Sequence, residues 1–170
     1  MNSKAIYSWP PVPIDSIKLM GVVAEPVSLQ DRNFVYEPKY DGVRVKAEVP
    51  VDGMANAIKV WSRTGNIITA QFPDVVQGFE VFRQRLKIPI LIDGEIVATG
   101  KDGTPLKFQH LQPRLGVIRP TPTDMTRTSV ALIAFDVLLA GNTDLRELPL
   151  LSRRQELETI FAIIGPTLSG

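Results

Sequence analysis

The sequence of 170 residues contains no cysteine, which excludes disulfides, thiolate metal sites and cysteine nucleophiles. Its single histidine, His110, rules out a multi-histidine metal site within one chain. Long apolar runs are also missing. The longest, VALIAFDVLLA, is about half of the ~20 residues needed to span a bilayer and carries Asp136. The opening stretch MNSKAIYSWPPVP lacks the apolar segment of a secretory signal. Neither sign of charge dominates: 19 basic residues against 18 acidic ones give a net charge of +1. Bulk charge therefore argues neither for nor against nucleic acid, and any basic footprint must be local. These absences set the expectation of a soluble, cytoplasmic protein.

What is present is the composition of a globular chain, 44% apolar and 22% charged, with 14 prolines spread widely. The length suits one domain with a sizeable core. No internal repeat or low-complexity segment interrupts it. Residues 1–17 read as an irregular, proline-stiffened lead-in. From Phe34 the pattern becomes strand-like: FVYEPK and VRVKAEV flank Asp41-Gly42, an ordinary hairpin turn signal, and AIKVWSR and NIIT follow. FPDVVQGFEVFRQRLK switches to helical period, with Val75, Phe79, Phe82 and Leu86 on one face and Asp74 placed to cap. IPILIDGEIVAT returns to strand, and PLKFQHLQPRLG suits a short helix around Pro113. SVALIAFDVLLAG reads as a buried central strand. LLSRRQELETIFAII closes as a helix, with Ser152 as cap and Leu157, Ile160, Phe161 and Ile164 on one face. The plan is α+β, largely antiparallel sheet with inserted helices.

Four short stretches carry residues capable of chemistry. In YEPKYDGVR, Glu37 and Lys39 share one side of an extended segment, and Asp41 joins them where the strand persists to the turn. A lysine amine becomes nucleophilic when neighbouring cations or a metal favour its neutral form, and Arg44 supplies such a cation or a grip on phosphate. The competing reading is a solvated hairpin without function. In WSRTG, Arg63 ends a strand before a glycine turn that could face an anion, or is a plain surface residue. In LIDGEIV, Glu95 is an acidic group in an apolar strand, costly unless paired, metal-bound or hydrogen-bonded; Asp93-Gly94 could equally be a bulge or edge. In IAFDVLL, Phe135 is either core or a ring that stacks on a nucleobase. Arg83, Arg85, Arg153 and Arg154 read most simply as solvated helix faces, with contact to a phosphate backbone as the alternative.

Taken together, Lys-x-Asp-Gly-x-Arg, Ser-Arg-x-Gly, Asp-Gly-Glu and Phe-Asp, in this order and at these intervals, resemble the adenylation domain of ATP-dependent DNA ligases. YEPKYDGVR, FPDVV, LIDGEIV, FQHLQPRLG and AFDVLLAGNTDLRELPLLSRRQELE resemble the small bacterial ligases of repair, from about Lys18 to Phe161. The resemblance implies an ATP-grasp-like nucleotidyltransferase fold over 18–170. It also implies ATP as substrate, Mg²⁺ or Mn²⁺ as cofactor and nicked double-stranded DNA as partner. Lys39 would attack the α-phosphate to give a lysyl-adenylate. Glu37 would contact adenine and Phe135 would stack on it. Arg44 and Arg63 would hold ribose and phosphate oxygens, and Glu95 would bind ribose or the metal. Asp41 and Gly42 would shape the loop after the nucleophile.

The family continues past the final helix with a Glu-Gly-Val-type strand, a Lys-x-Lys pair and an OB-fold domain. The sequence contains no Lys-x-Lys and no Glu-Gly, and its last lysine is Lys107, so a partial adenylation domain is expected. Two other readings share some of these features. One is a catalytically incomplete ligase-like module that binds nucleotide or DNA. The other is an RNA ligase or mRNA-capping guanylyltransferase, which also uses a Lys-x-x-Gly nucleophile.

Overall fold

The structure is a computed structural model that describes residues 8–21, 30–31, 36–52, 54 and 57–162. Its centre is one antiparallel sheet of five strands: β1 (Val43–Val49), β2 (Lys59–Ser62), β3 (Ile90–Ala98), β4 (Val130–Ala140) and β5 (Thr143–Asp144). Their order is β2-β1-β3-β4-β5. The helices are α1 (Pro73–Arg83), α2 (Phe108–Leu115), α3 (Pro122–Arg127) and α4 (Leu150–Ala162). The expected α+β, antiparallel plan is therefore what forms. Among the described residues no helix is long and apolar enough to cross a membrane.

The period of two in VRVKAEV divides the sheet into two faces. Val45, Ala47 and Val49 join Val60, Ile92 and Val137 in the main core, against Phe79 and Phe82 of α1, Leu111 of α2 and Leu157 and Ile160 of α4. The opposite face of β1 carries Arg44, Lys46 and Glu48. Such a face is commonly left to water, yet Lys46 and Glu48 are each only 1% exposed. The described part of the lead-in, 8–17, covers them. Ile14 and Ile17 pack on Leu91, Leu138 and Leu139, and Lys46 Nζ donates to the carbonyls of Ile14 at 2.7 Å and Ile17 at 2.9 Å. Glu48 accepts from the indole N–H groups of Trp9 and Trp61 and pairs with Lys59.

Several expectations are corrected. Asp41-Gly42 is not a hairpin turn: Tyr36 to Asp41 form no strand, Phe34 and Val35 lie outside the described residues, and β1 pairs instead with β2 and β3. What requires the glycine is close approach, since a Cβ on Gly42 would lie 2.1 Å from the carbonyl oxygen of Ile96. NIIT forms only a Trp61–Ile67 bridge and a 3-10 turn at Thr69–Gln71. The central strand is β3, with β4 beside the two-residue β5. Asp74 makes no side-chain cap; it forms a two-pronged ion pair with the fully buried Arg114, tying α1 to α2. α4 begins at Leu150, which puts Ser152 inside the helix, and Ile164 lies outside the described residues.

Candidate active site

β3 and β4 do not pair in simple register. Asp93 faces Asp136 and the next pair is Gly94 with Ala134, so Phe135 is an extra residue on β4. A bulge of this kind re-aims a side chain. Phe135 here lines an open cleft of about 920 Å³ together with Glu37, Lys39, Gly42, Arg44, Arg63 and Glu95. Seven of the eight residues singled out from sequence thus converge on one concavity. Asp41 is the exception. Its carboxylate accepts from the N–H of Phe108 at 3.0 Å, the first residue of α2. There it satisfies a donor that the helix leaves unpaired and lies at the favourable end of the helix dipole. The link fixes the Lys39 segment to α2.

Arg44 is held in place on three sides. Nε and Nη2 donate to the two carboxylate oxygens of Asp93 at 3.0 and 2.7 Å, and Nη1 donates to the Met20 carbonyl at 2.7 Å. Its guanidinium carbon lies 5.5 Å from the centre of the Phe135 ring, within cation–π range. Hydrogen bonding to Asp93 raises the Arg44 pKa. Burial raises that of Asp93 despite the pull of Arg44 in the other direction. Behind this pair, Asp136 takes a bidentate grip from Arg153 of α4, with Nε and Nη2 each 2.8 Å from a carboxylate oxygen. Arg44, Asp93, Asp136 and Arg153 therefore run plus, minus, minus, plus across β1, β3, β4 and α4, each central carboxylate being answered by the arginine on its outer side.

Glu95 stands opposite Arg44 in the β1–β3 register. Its Oε1 accepts from the Gly42 N–H at 3.1 Å, which answers the cost of placing it in an apolar strand. Burial still raises its pKa, more than the Gly42 bond and Arg44 lower it. Arg63 is exposed in a turn closed by Gly65 N–H to the Ser62 carbonyl at 3.0 Å, with Gly65 at φ +89°. Lys39 is exposed at the cleft. Among the described residues no three His, Cys, Asp or Glu side chains form a metal cluster.

Sequence reasoning missed the second layer. Arg153 and Arg154 are not a solvated face. Arg153 is 7% exposed, and its place on the apolar stripe four residues before Leu157 was the available signal. Arg154 donates to the Phe135 carbonyl at 2.7 Å and forms an ion pair with Glu37. Arg83 is paired with Glu80. Asp93 read as a bulge or edge residue; it lies on the central strand beside the bulge that β4 carries, and it is the partner of Arg44.

The cleft thus combines an exposed lysine, a clamped arginine, a half-buried glutamate and an aromatic ring. Residues 21–167 match the ATP dependent DNA ligase domain, and the chain belongs to that family. It is 37% identical over 126 residues to a DNA ligase of Natronomonas pharaonis, covering 74% of this chain and 22% of that protein. It is 35% identical over 127 residues to DNA ligase 2 of Haloquadratum walsbyi, covering 74% and 19%. The solved structure of mycobacterial DNA ligase D complexed with ATP and MES superposes with a TM-score of 0.58 at 27% identity, over 75% of this chain and 36% of that one. The ligase domain of M. tuberculosis LigD gives 0.57 at 27% identity, over 74% and 36%. The chain spans about a fifth of the length of these two curated relatives.

Proposed function

We propose that this cleft carries out the nucleotidyl transfer of an ATP-dependent DNA ligase. The observation that supports the reading most is the convergence of residues as distant in sequence as Glu37 and Phe135 on one concavity. Lys39 Nζ, as the free amine, attacks the α-phosphorus of ATP. A P–N bond forms, the bond to the bridging oxygen breaks, and pyrophosphate departs with the electron pair while the amine proton passes to solvent. An oxygen of the 5′-phosphate at a nick in double-stranded DNA then attacks the adenylate phosphorus, the P–N bond breaks and Lys39 leaves as the amine with a proton from solvent. The 3′-hydroxyl across the nick next attacks the 5′-phosphate and displaces AMP.

Such transfer depends on positioning and charge neutralisation more than on covalent chemistry by the protein. Arg44 spends three of its five N–H donors on Asp93 and Met20, leaving one on each Nη for phosphate or ribose oxygens. Arg63 adds a second cation at the rim, Phe135 offers a face to the adenine, and Glu37 contacts the base edge. Glu95 keeps one carboxylate oxygen for a ribose hydroxyl or a divalent ion. Mg²⁺ needs one or two carboxylates plus phosphate oxygens and water, so a single glutamate beside bound phosphates fits it. When bound, the ion would neutralise phosphate charge.

The test is incubation with α-labelled ATP and Mg²⁺ followed by denaturing electrophoresis. Label should appear covalently on the chain extended with the C-terminal part of a relative's domain and vanish with Lys39→Ala. No label on the extended chain, or label that survives Lys39→Ala, overturns the reading. Preferential labelling by GTP would point instead to a guanylyltransferase.

A further inference from the structure

Glu37 lies in a stretch, Tyr36 to Asp41, that belongs to no strand or helix, so no backbone ladder fixes where its carboxylate points. One side chain does. From α4, Arg154 sends Nη2 to Glu37 Oε1 and Nη1 to the Phe135 carbonyl, the latter at 2.7 Å. A single planar guanidinium thus joins two walls of the cleft that are 98 positions apart in sequence, and Arg154 itself lines that cleft. We propose that Arg154 is a positioning residue that sets purine specificity. It holds the Glu37 carboxylate in a fixed place relative to the Phe135 ring, so that a 6-amino purine is accepted and a 6-oxo purine refused. This rests on the nucleotide-binding reading given above.

The chemistry follows from donor and acceptor count. An ionised carboxylate only accepts, and it has lone pairs beyond the one that Arg154 occupies. The 6-amino group of adenine donates to it, whereas O6 of guanine also accepts and meets it unpaired. Two acceptors in a fixed fork also explain arginine over lysine: an ammonium ion could neutralise Glu37 but would not tie it rigidly to the β4 backbone.

The experiment compares equilibrium binding of ATP and GTP by calorimetry at fixed Mg²⁺, for the parent chain, Arg154→Ala, Arg154→Lys, Glu37→Gln and the double variant Arg154→Ala/Glu37→Gln. The parent should prefer ATP, and Arg154→Ala should shrink the ATP-to-GTP affinity ratio about tenfold, the size expected for losing control of one charged hydrogen bond. Arg154→Lys should fall between. In the Glu37→Gln background, Arg154→Ala should change the ratio little, because it acts through Glu37. An unchanged ratio in Arg154→Ala with ATP binding retained overturns the proposal. So does tighter ATP binding, which would make the ion pair a latch closing an empty site, and so does an equal effect in the Glu37→Gln background. If Arg154→Ala does not fold, the ratio in Arg154→Lys decides, and a parent-like value there overturns the proposal. A parent chain that binds neither nucleotide would refute the reading of the cleft itself.

Discussion

Arg44 and Asp93 show how much a single buried pair commits. Asp93 is 1% exposed, so removing its partner strands a carboxylate inside the sheet. Arg44→Met should therefore cost about 3–5 kcal/mol in chemical unfolding, the usual range for breaking a buried pair from one side. The pH dependence follows from sign. Burial already raises the Asp93 pKa, and without Arg44 it rises further above its unfolded value. A carboxyl of that kind binds protons more readily folded than unfolded, so its stabilising contribution is present at acid pH and is lost as pH rises through the folded pKa. The deficit of Arg44→Met against the parent should accordingly narrow as pH falls below neutrality, read from unfolding midpoints across a pH series; a deficit that widens would contradict this account. Glu95 titrates on the same side. Its pKa is raised by burial, and in the role proposed for Glu95 as a ligand to the divalent ion the protonated carboxyl would not bind it. Mg²⁺-dependent ATP binding should fall toward acid pH earlier than an unperturbed glutamate would cause, and Glu95→Gln should flatten that part of the profile.

At the scale of elements, two glycines make opposite predictions. Gly42 precedes β1, and its Cα faces the backbone of β3, with no room for a methyl. Gly42→Ala should destabilise by about 1–3 kcal/mol, as overpacking does, and should disturb the Gly42–Glu95 hydrogen bond. Gly78 lies within α1, where a Cβ would meet nothing within 4 Å. Gly78→Ala should stabilise by roughly 0.5–1 kcal/mol, so thermal unfolding of the two variants should bracket the parent. The same pair shows where sequence was informative. Period and composition located α1, α2, β1, β3, β4 and α4, because their apolar spacing is set by local geometry. They misread Asp41-Gly42, because a hairpin turn and a close strand approach both call for glycine, and only long-range pairing with β3 separates them. The motifs found the cleft residues Lys39, Arg44, Arg63, Glu95 and Phe135. They did not find Arg154, since an arginine beside Glu158 on an amphipathic helix looks like any solvated charge until α4 is docked on β4.

For the molecule as a whole, the N-terminal segment is the element whose importance is least visible in sequence. Its prolines read as irregular, yet its described part roofs a charged sheet face and supplies both acceptors of Lys46. We propose that the folded unit extends back through Trp9. A chain starting at Lys18 should lose at least about 3 kcal/mol in urea unfolding, since Ile14 and Ile17 would no longer be buried and Lys46 would face no acceptor. Equal stability of the shortened chain would place the boundary at Lys18. The α4 arginines act at the same scale: Arg153 locks the helix to β4 from below, while Arg154 reaches from it into the cleft.

The central claim is that this cleft transfers AMP through Lys39. Peptide mapping by mass spectrometry after reaction with ATP and Mg²⁺, on the chain extended with the C-terminal part of a relative's domain, tests it most directly. AMP should be found on the peptide containing Lys39, attached through an acid-labile phosphoramidate. AMP located on any other residue would contradict the account.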